Sequence, residues 1–324
     1  MQPIGVVANP LSGKDIRRLS GKASVFDNRE KEAIVRRAIA GAVAAGAKHF
    51  AYMNDSHGIA ASGFSDVEGV NAVAVDCPRS ATMFDTIESA RHLSELNCAA
   101  VLVLGGDGTN RAFVKGWRNA VMMPLSTGTN NVFPVLAEAT VAGSTLGLIG
   151  SGKLDAKDVS SVAKIIDIEI EGESGDIALI DAVMTEDDFV GARALLDAEA
   201  IQQVFLTRAD PAAVGMTSLG GLLQPLGEEE DAGLLLEMGD GGVKLNAPLA
   251  PGLFAPIGIK QINRVPFDQT VELQGPGVLA LDGERERVIQ PQQKVRLRVS
   301  RSGPRVLDIN IAMKTAASGG LLRL

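Results

Sequence analysis

Residues 99–110 read Ala-Ala-Val-Leu-Val-Leu-Gly-Gly-Asp-Gly-Thr-Asn, and this stretch decides the fold. Its first half is apolar without alternation, which is typical of a strand covered on both faces, as in a parallel sheet. In its second half, where that strand ends, three of the four residues at 105–108 are glycine. Ligands of open α/β sheets bind beyond the carboxyl ends of the strands. The stretch therefore predicts a buried parallel strand that runs into a bare, ligand-facing turn.

The segments around this strand predict the rest of an α/β domain. A helix is expected behind the capping box Asp27-x-x-Glu30, and another over residues 81–96. Further strands are predicted from short apolar runs at 4–8, 50–53, 70–75 and 121–125. Strands that alternate with helices indicate a parallel sheet with helices on its faces. We therefore predict a Rossmann-like, doubly wound α/β domain at residues 1–157.

Beyond residue 157 the pattern changes to short strands with one apolar face. Apolar residues alternate with polar ones over 166–171, 294–299 and 307–311, which is typical of antiparallel strands that cover a core on one side. Asp282-Gly283, between two strand-like runs, indicates a hairpin turn. We predict an antiparallel β-sandwich domain over residues 158–324, with the C-terminal tail packing back on the first domain.

Composition excludes several classes of function. The chain of 324 residues carries 31 Lys and Arg against 39 Asp and Glu, a net charge of −8, which argues against a general nucleic-acid or anionic-membrane binder. The acidic run 228–231 predicts a solvated loop. Cys77 and Cys98 form no C-x-x-C pair, and the histidines are scattered. With neither a signal peptide nor a membrane-length apolar stretch, we expect a cytoplasmic protein.

The glycine-rich turn is the sharpest candidate site. Gly105, Gly106 and Gly108 surround Asp107 and precede Thr109. A backbone without Cβ atoms can approach a polyphosphate closely and direct N–H groups at it. The Asp107 carboxylate is suited to accept a proton from an attacking hydroxyl or to ligate a metal. The alternative is a turn-forming or capping role for Asp107.

Two more polar loops follow strands of the same predicted sheet. Asn9-Pro-Leu-Ser-Gly-Lys14 follows the first strand and looks like a P-loop without its spacing. Residues 124–131, Pro-Leu-Ser-Thr-Gly-Thr-Asn-Asn, offer hydroxyls and amides at a helix start. The alternative for the first segment is an ordinary strand-to-helix loop with an exposed Lys14. The alternative for residues 124–131 is an ordinary N-cap for the helix that follows. The three loops together fit phosphoryl transfer better than any one of them alone, with Asp107 and Asp282 as carboxylates for base and metal work.

In this order the motifs resemble the NAD kinase and diacylglycerol kinase superfamily. The resemblance rests on Gly-Gly-Asp-Gly-Thr at 105–109, the Asn-Pro-x-Ser-Gly loop at 9–13, Thr-Gly-Thr-Asn at 127–130 and Asp-Gly-Glu at 282–284. It covers nearly the whole chain and extends to the ATP-NAD kinase-like AcoX branch, found with acetoin-catabolism proteins. It implies a Rossmann-like domain and a β-sandwich domain with substrate in the cleft between them.

The resemblance also implies ligands and roles. It implies ATP or another phosphate donor, Mg²⁺, and NAD as an acceptor, while it names no metal ligand. Asp107 matches the family aspartate that activates the acceptor hydroxyl. The positions expected to bind nucleotide or substrate are Asn9, Ser12, Gly13, Gly105, Gly106, Gly108, Thr109, Asn110, Thr127, Gly128, Thr129, Asn130, Asp181, Asp282, Gly283 and Glu284. Because NAD kinases are usually oligomers, we expect a homo-oligomer.

The acceptor side departs from the NAD kinase pattern. NAD kinases carry an Asn-Glu pair where the second domain opens, whereas residues 179–183 here read Leu-Ile-Asp-Ala-Val. Of these residues, Asp181 is the one that could hydrogen-bond a ribose. The later hydroxyl-rich loop of NAD kinases matches residues 214–221, which keep glycine and hydroxyls but lack the tyrosine. The donor-side motifs are therefore better preserved than the acceptor-side motifs.

Three functions follow from these motifs. The first is a kinase that phosphorylates the 2′-hydroxyl of NAD or a related nucleotide, with Asp107 as base. The second is a kinase for a lipid or a small polyol, favoured by the Asn-Pro-x-Ser-Gly and Asp-Gly-Glu variants and opposed by the lack of a basic or amphipathic membrane-docking segment. The third is a nucleotide-binding accessory protein of acetoin catabolism without turnover, which the weakened acceptor motifs favour.

Overall fold

A computed structural model describes residues 2–13, 26–128, 131–186 and 199–323 of the chain. These residues form two compact units. The first unit comprises the described residues up to Val162 together with those from Pro304 onward, and the second comprises the described residues of Ala163–Gly303.

The first unit alternates strands and helices in the order that the sequence predicts. Its strands are β1 (Ile4–Ala8), β2 (His49–Met53), β3 (Asn71–Val75), β4 (Ala100–Gly105), β5 (Val121–Ser126), β6 (Ser160–Val162) and, near the C-terminus, β17 (Arg305–Leu307). Its helices are α1 (Asn28–Ala44), α2 (Ile59–Ser62), α3 (Met83–Glu95), α4 (Asp107–Gly116), α5 (Ala139–Gly150) and α7 (Ile309–Ser318).

The sheet of the first unit has the order β3-β2-β1-β4-β5-β17-β6 over the residues that the structure describes. Neighbouring strands from β3 to β17 run parallel, and β6 is antiparallel to β17. The chain moves from β1 outward to β3, then returns to place β4 on the other side of β1. This reversal between β1 and β4 is the switch point at which doubly wound sheets bind ligands. The predicted Rossmann-like domain is confirmed.

Small residues let α1 and α5 pack closely on one face of the sheet. A Cβ on Gly143 or Gly147 would collide with the backbone carbonyl of Ala38 or Ala42 across the helix pair. Glu138 caps α5 by accepting the N–H groups of Thr140 and Val141. The apolar, small-residue stretch before residue 150 is therefore a helix that packs on a neighbouring helix. Over the described residues, no helix is long and apolar enough to cross a membrane.

The C-terminal residues belong to the first unit. The alternation over 307–311 predicted a strand, but the strand ends at Leu307 and α7 begins at Ile309. The reason is Asp308, whose carboxylate accepts the N–H of Ile311 at 2.9 Å and caps the helix. The compact units divide after Val162, later than the predicted boundary after residue 157, because β6 hydrogen-bonds to β17 of the parallel sheet.

The second unit is built from two antiparallel sheets, of order β12-β11-β10-β9-β14-β15 and β13-β16-β7-β8 over the described residues. Their apolar faces share one core, in which Ile168 and Leu297 of one sheet cluster with Met184 and Leu279 of the other. This is the predicted sandwich. The elements are β7 (Ile165–Ile170), β8 (Asp176–Ala178), β9 (Asp181–Thr185), β10 (Ile201–Leu206), α6 (Met216–Gly221), β11 (Ala232–Ala250), β12 (Leu253–Pro266), β13 (Val271–Gln274), β14 (Gly277–Leu281), β15 (Glu284–Ile289) and β16 (Lys294–Ser300).

Candidate functional site

The three polar loops of the first unit follow β1, β4 and β5 at the carboxyl edge of the parallel sheet. β1 and β4 pair with Ala8 opposite Leu104, and β4 and β5 pair with Gly105 opposite Ser126. The loops that follow these strands therefore begin side by side, next to the switch point. The sequence predicted that the three loops follow strands of one sheet, and the structure adds that these strands are neighbours.

A side-chain hydrogen bond joins the first loop to the glycine-rich turn. The Asn9 side-chain amide donates to Thr109 Oγ1 at 2.9 Å. The amide oxygen of Asn9 accepts the N–H of Leu11 at 2.9 Å, and the Ser12 hydroxyl donates to the Asn9 carbonyl at 2.8 Å. Gly13 has a φ of +70°, which closes the loop in the left-handed region. Asn9 thus fixes its own loop and its neighbour together.

Two glycines of the turn are required by close packing inside the site. A Cβ on Gly105 would lie 2.5 Å from the Thr109 side chain, and one on Gly106 would lie 2.8 Å from Asn131 Oδ1. Neither glycine needs the left-handed region, because their φ values are not positive. Gly106 instead precedes α4 in extended conformation, and the half-buried Gly108 lies in its first turn. Glycine therefore lets the turn approach Thr109 and Asn131.

The Asp107 carboxylate binds the backbone of the third loop. Its Oδ1 accepts the N–H of Phe133 at 2.8 Å, and both of its oxygens lie 3.1 Å from the N of Val132. The side chain is half-buried at the first position of α4. A negative charge at a helix N-terminus is favourable. Asp107 therefore stands at the centre of the candidate site and holds the loop that follows β5.

Ser126 and Asn131 shape that third loop. The Ser126 hydroxyl donates to the Gly128 carbonyl at 2.6 Å and receives an N–H from the Asn131 side chain at 2.7 Å. Ser126 is buried. The sequence noted these two residues as members of the loop, but it assigned binding to Thr127, Gly128, Thr129 and Asn130. Thr129, Asn130 and Lys14 lie outside the described residues.

Two buried polar atoms near the turn offer unused hydrogen-bonding capacity. Asn110 donates its side-chain amide to the Gly106 carbonyl at 2.8 Å, while its Oδ1 is buried and has no hydrogen-bond partner among the described residues. The Thr127 hydroxyl is likewise buried without one. Leaving such atoms unpaired is costly, and orphaned polar groups call for an explanation such as a missing ligand. The Thr127 hydroxyl could donate to a phosphate oxygen, whereas Asn110 Oδ1 can only accept and suits a hydroxyl or a water.

A lysine that the sequence did not single out lies beneath the first loop. Lys31 of α1 is fully buried, and its ammonium donates to the carbonyls of Asn9, Pro10 and Ser12 and to Asn28 Oδ1. The signal in the sequence is its position: with a helix beginning at Asn28, Lys31 falls on the same face as the buried Ile34 and Val35. A charge on an apolar helix face indicates an internal partner.

In the second unit, Asp282 is a buried clamp. Its carboxylate accepts the N–H groups of Leu179, Ile180 and Asp181 at 2.7–3.2 Å. Asp282 has a φ of +50° and Gly283 a φ of +79°, as expected for the tight hairpin turn that joins β14 to β15. The predicted hairpin is confirmed. These bonds hold the backbone that enters β9.

The structure brings the other predicted residues of the second unit close to this clamp. Asp181 begins β9 and is buried, and Glu284 begins β15 and is exposed. Thr207, which the sequence did not single out, donates its hydroxyl to the Leu179 carbonyl at 2.8 Å from the opposite side of the same segment. Most of the predicted hydroxyl-rich loop, residues 214–221, is helix α6, in which the Thr217 hydroxyl is buried and has no hydrogen-bond partner among the described residues.

The acidic run 228–231 lies in a turn whose residues are exposed or half-buried, so the predicted solvated loop is confirmed, and three of its acids also pair with cations. Glu228 lies 3.5 Å from Arg208, Glu230 lies 2.6 Å from Arg264 and Asp231 lies 2.7 Å from Arg301. Beneath the run, the buried ammonium of Lys164 donates to the carbonyls of Gly227, Glu230 and Ala232 at 2.7, 3.1 and 3.2 Å. The acids are therefore held by cations that lie far away in the sequence.

Burial makes Lys164 electrostatically unusual. Desolvation lowers its pKa from the ordinary 10.5 to about 8, although Glu228 acts in the opposite direction. Arg301 and Arg208 lower the pKa further because they carry like charge. Lys164 thus has a pKa that lies within reach of ordinary buffers.

The described residues contain no cluster of His, Cys, Asp and Glu that could hold a metal ion by itself. Mg²⁺ is commonly bound by one or two carboxylates together with substrate phosphates and water. Asp107 is the carboxylate beside the three loops that could take part in such a site. The arrangement therefore suits a metal that arrives with a phosphate-bearing substrate.

Comparison with known proteins gives related sequences and related folds. A family model for the acetoin catabolism protein X C-terminal domain matches residues 164–302. Acetoin catabolism protein X of Cupriavidus necator is 34% identical over 336 aligned residues, which cover 99% of this chain and 94% of that protein.

Among solved structures, a yeast NADH kinase in complex with NADH matches with a TM-score of 0.53 and 10% identity, over 98% of this chain and 86% of that one. A Bacillus anthracis protein assigned as a diacylglycerol kinase matches with a TM-score of 0.51 and 9% identity, over 94% of this chain and 97% of that one. At such low identities the likeness establishes the fold. The fold is that of the NAD kinases and the diacylglycerol kinases, as the motifs had indicated.

Proposed function

The chain belongs to the family of acetoin catabolism protein X, and on this premise we propose that it is an ATP-dependent phosphotransferase that phosphorylates a hydroxyl group. The proposal is supported by the kinase-like fold and by the geometry of the first unit. The observation that carries it is the junction of three loops beside the switch point, tied by Asn9 to Thr109 and by Asp107 to Val132 and Phe133.

The donor polyphosphate would bind against the first turn of α4. The backbone N–H groups at a helix start are a favourable place for phosphate oxygens. Among the described residues the Thr127 hydroxyl has no partner and can donate to a phosphate oxygen, and Asn110 Oδ1 has none and can accept from a ligand hydroxyl or a water. The Asn9 loop borders the same place. Thr127 and the loop backbone are therefore the groups that would hold the nucleotide, and Thr109 would act through its bond to Asn9.

Asp107 would act as the base. Its carboxylate would accept the proton of the acceptor hydroxyl, whose oxygen then forms a bond to the γ-phosphorus of ATP. The bond between that phosphorus and the β–γ bridging oxygen breaks, and ADP leaves with the electron pair. The carboxylate is also bonded to the N–H groups of Val132 and Phe133. Those bonds would also keep the carboxylate oriented.

Mg²⁺ would be held mainly by the phosphates of the nucleotide and by water, beside Asp107, and when bound it would neutralise charge that develops on those phosphates. We expect the protein's own residues to supply orientation and proton transfer. Orientation is the larger part of phosphoryl-transfer catalysis, since there is little covalent chemistry for a protein to perform.

The acceptor is proposed to be the 2′-hydroxyl of NAD or of a related nucleotide. In the second unit, Asp181, Asp282, Gly283 and Glu284 remain the proposed contacts for it. The alternative acceptor is a small polyol or a lipid, because the Asn-Glu pair of NAD kinases is missing from residues 179–183. A homo-oligomer in the cytoplasm, without nucleic-acid or membrane partners, also remains part of the proposal.

The test is phosphoryl transfer by the purified protein from ATP and Mg²⁺. NAD, NADH, acetoin, butanediol and diacylglycerol would be offered as acceptors, and products read by mass spectrometry. A phosphorylated acceptor supports the phosphotransferase and identifies its substrate class. Nucleotide binding without product from any acceptor would favour a nucleotide-binding accessory protein of acetoin catabolism.

A further inference from the structure

Lys31 is a buried cation that binds the loop after β1. Its ammonium lies 3.0 Å from the carbonyl oxygens of Asn9 and Pro10, 2.6 Å from that of Ser12 and 3.2 Å from Asn28 Oδ1. The residue is fully buried. Three of the four acceptors thus belong to the loop that follows β1.

Burying an ammonium is expensive, and an apolar side chain of similar length would fill the same volume without that cost. The cost is offset by the hydrogen bonds between the ammonium and the carbonyl groups of the loop. Carbonyl groups bound to a buried ammonium are directed toward the protein interior. The loop therefore turns its acceptor oxygens away from the site edge, where a polyphosphate would be repelled by them.

The same arrangement fixes the side chain that crosses the switch point. With its carbonyl held by Lys31, Asn9 donates to Thr109 Oγ1 and accepts the N–H of Leu11. The positive charge of Lys31 also lies directly beneath the loop and favours an anion there. The geometry of the loop and the charge of Lys31 thus both favour binding of a phosphate.

We propose that Lys31 is a positioning residue for nucleotide phosphate: it holds the Asn9–Ser12 loop in the conformation that accepts the polyphosphate. This inference rests on the proposed function, because it names a determinant of the same site. Lys31 acts through the loop and does not touch the ligand. Its loss should therefore raise the KM for ATP more than it lowers kcat.

The chain offers a matched control. Lys164 of the second unit is equally buried, and its ammonium also donates to three backbone carbonyls, those of Gly227, Glu230 and Ala232. Lys31→Met and Lys164→Met therefore remove the same kind of group. Both variants should be less stable, but Lys31 alone underlies a loop of the candidate site.

The experiment measures the Kd of a fluorescent ATP analogue with Mg²⁺ for the wild-type protein and both variants. We expect a rise of about tenfold in Kd for Lys31→Met, the equivalent of one lost charge-assisted interaction, and a Kd close to wild type for Lys164→Met. Equal Kd values for wild type and Lys31→Met, or equal weakening by the two variants, would overturn the proposal. Lys31→Gln, which keeps an N–H donor, serves if the methionine variant does not fold.

Hydrogen exchange separates this inference from the proposed function. The N–H groups of Leu11 and Ser12 are bonded to Asn9 and should exchange faster in the Lys31 variant than in wild type, with no nucleotide present. Unchanged exchange would refute the positioning role of Lys31. A wild-type protein that binds no nucleotide, while this exchange does change, would refute the proposed function instead.

Discussion

Asn9 Nδ2 and Thr109 Oγ1 are hydrogen-bonded at 2.9 Å, although they lie 100 residues apart in the sequence. The bond connects the loop after β1 to the first turn of α4, across the switch point of the parallel sheet. The bond therefore couples the positions of two of the proposed phosphate-binding loops. The arrangement of these loops should therefore depend on both partners together.

The first prediction concerns this pair. Asn9→Ala and Thr109→Val should each weaken ATP binding, and the double variant should be little worse than either, because each single change breaks the same bond. The coupling energy should be about 0.5–1.5 kcal/mol, the usual net value of such a bond. A double-mutant cycle on the nucleotide Kd measures it. Strictly additive effects would mean that the bond does not organise the site.

The second prediction concerns Asp107. Asp107→Asn should lower turnover by at least roughly 10²-fold, the low end of a general-base contribution. If the nucleotide Kd stays at its wild-type value, the loss lies in proton transfer. If the Kd rises in step with the loss of turnover, the carboxylate serves mainly to hold Val132 and Phe133.

Asp85 supplies the control for that experiment. Its buried carboxylate also accepts backbone N–H groups, those of Ser80 and Ala81, but it lies at the start of α3. Asp85→Asn should lower the free energy of unfolding and leave turnover by the folded protein near wild type. A comparable loss of turnover in both variants would contradict a special role for Asp107.

The third prediction concerns the clamp of the second unit. Asp282→Asn should lower the free energy of unfolding by about 1.5–3 kcal/mol, since a charged acceptor of several backbone N–H groups is replaced by a neutral one. Chemical denaturation measures this change, with the exposed Glu284→Gln as the neighbouring control. A stability equal to wild type would contradict the clamp.

The fourth prediction is a pH dependence caused by Lys164. Its pKa is about 8 in the folded protein and about 10.5 when unfolded, so between these values the unfolded chain binds more protons than the folded protein. Stability should then rise with pH through this window, because the penalty for burying the charged form disappears. Wild type should gain free energy of unfolding relative to Lys164→Met from pH 8 to pH 10. A constant difference would contradict the lowered pKa.

Much of this fold can be predicted from the sequence. The unbroken apolar run before Gly105 requires cover on both faces, and the glycines after it mark a close approach, so strand and turn are both predictable. The strand prediction over 307–311 was wrong because five alternating residues are too few to distinguish a strand from the start of a capped helix. Asp308 decides the matter by bonding Ile311, and that is a local contact.

The site can be predicted only in part, because the residues that hold its loops are distant in the sequence. Nothing near Asn9 indicates that Lys31 binds its carbonyl, and nothing near Asp282 indicates that Thr207 braces the same segment. The partners of the acidic run are equally remote: Arg301 lies 70 residues beyond Asp231. Sequence patterns reveal which residues could act, whereas tertiary contacts determine what each one holds.

The most direct test of the account is the transfer of the labelled γ-phosphoryl group of ATP to an acceptor, measured for the wild-type protein and for Asp107→Asn under the same conditions. The account predicts a labelled product with wild type and at least a roughly 10²-fold slower appearance with the variant. Equal rates for both proteins, or no transfer to any acceptor by a wild-type protein that binds ATP, would contradict it.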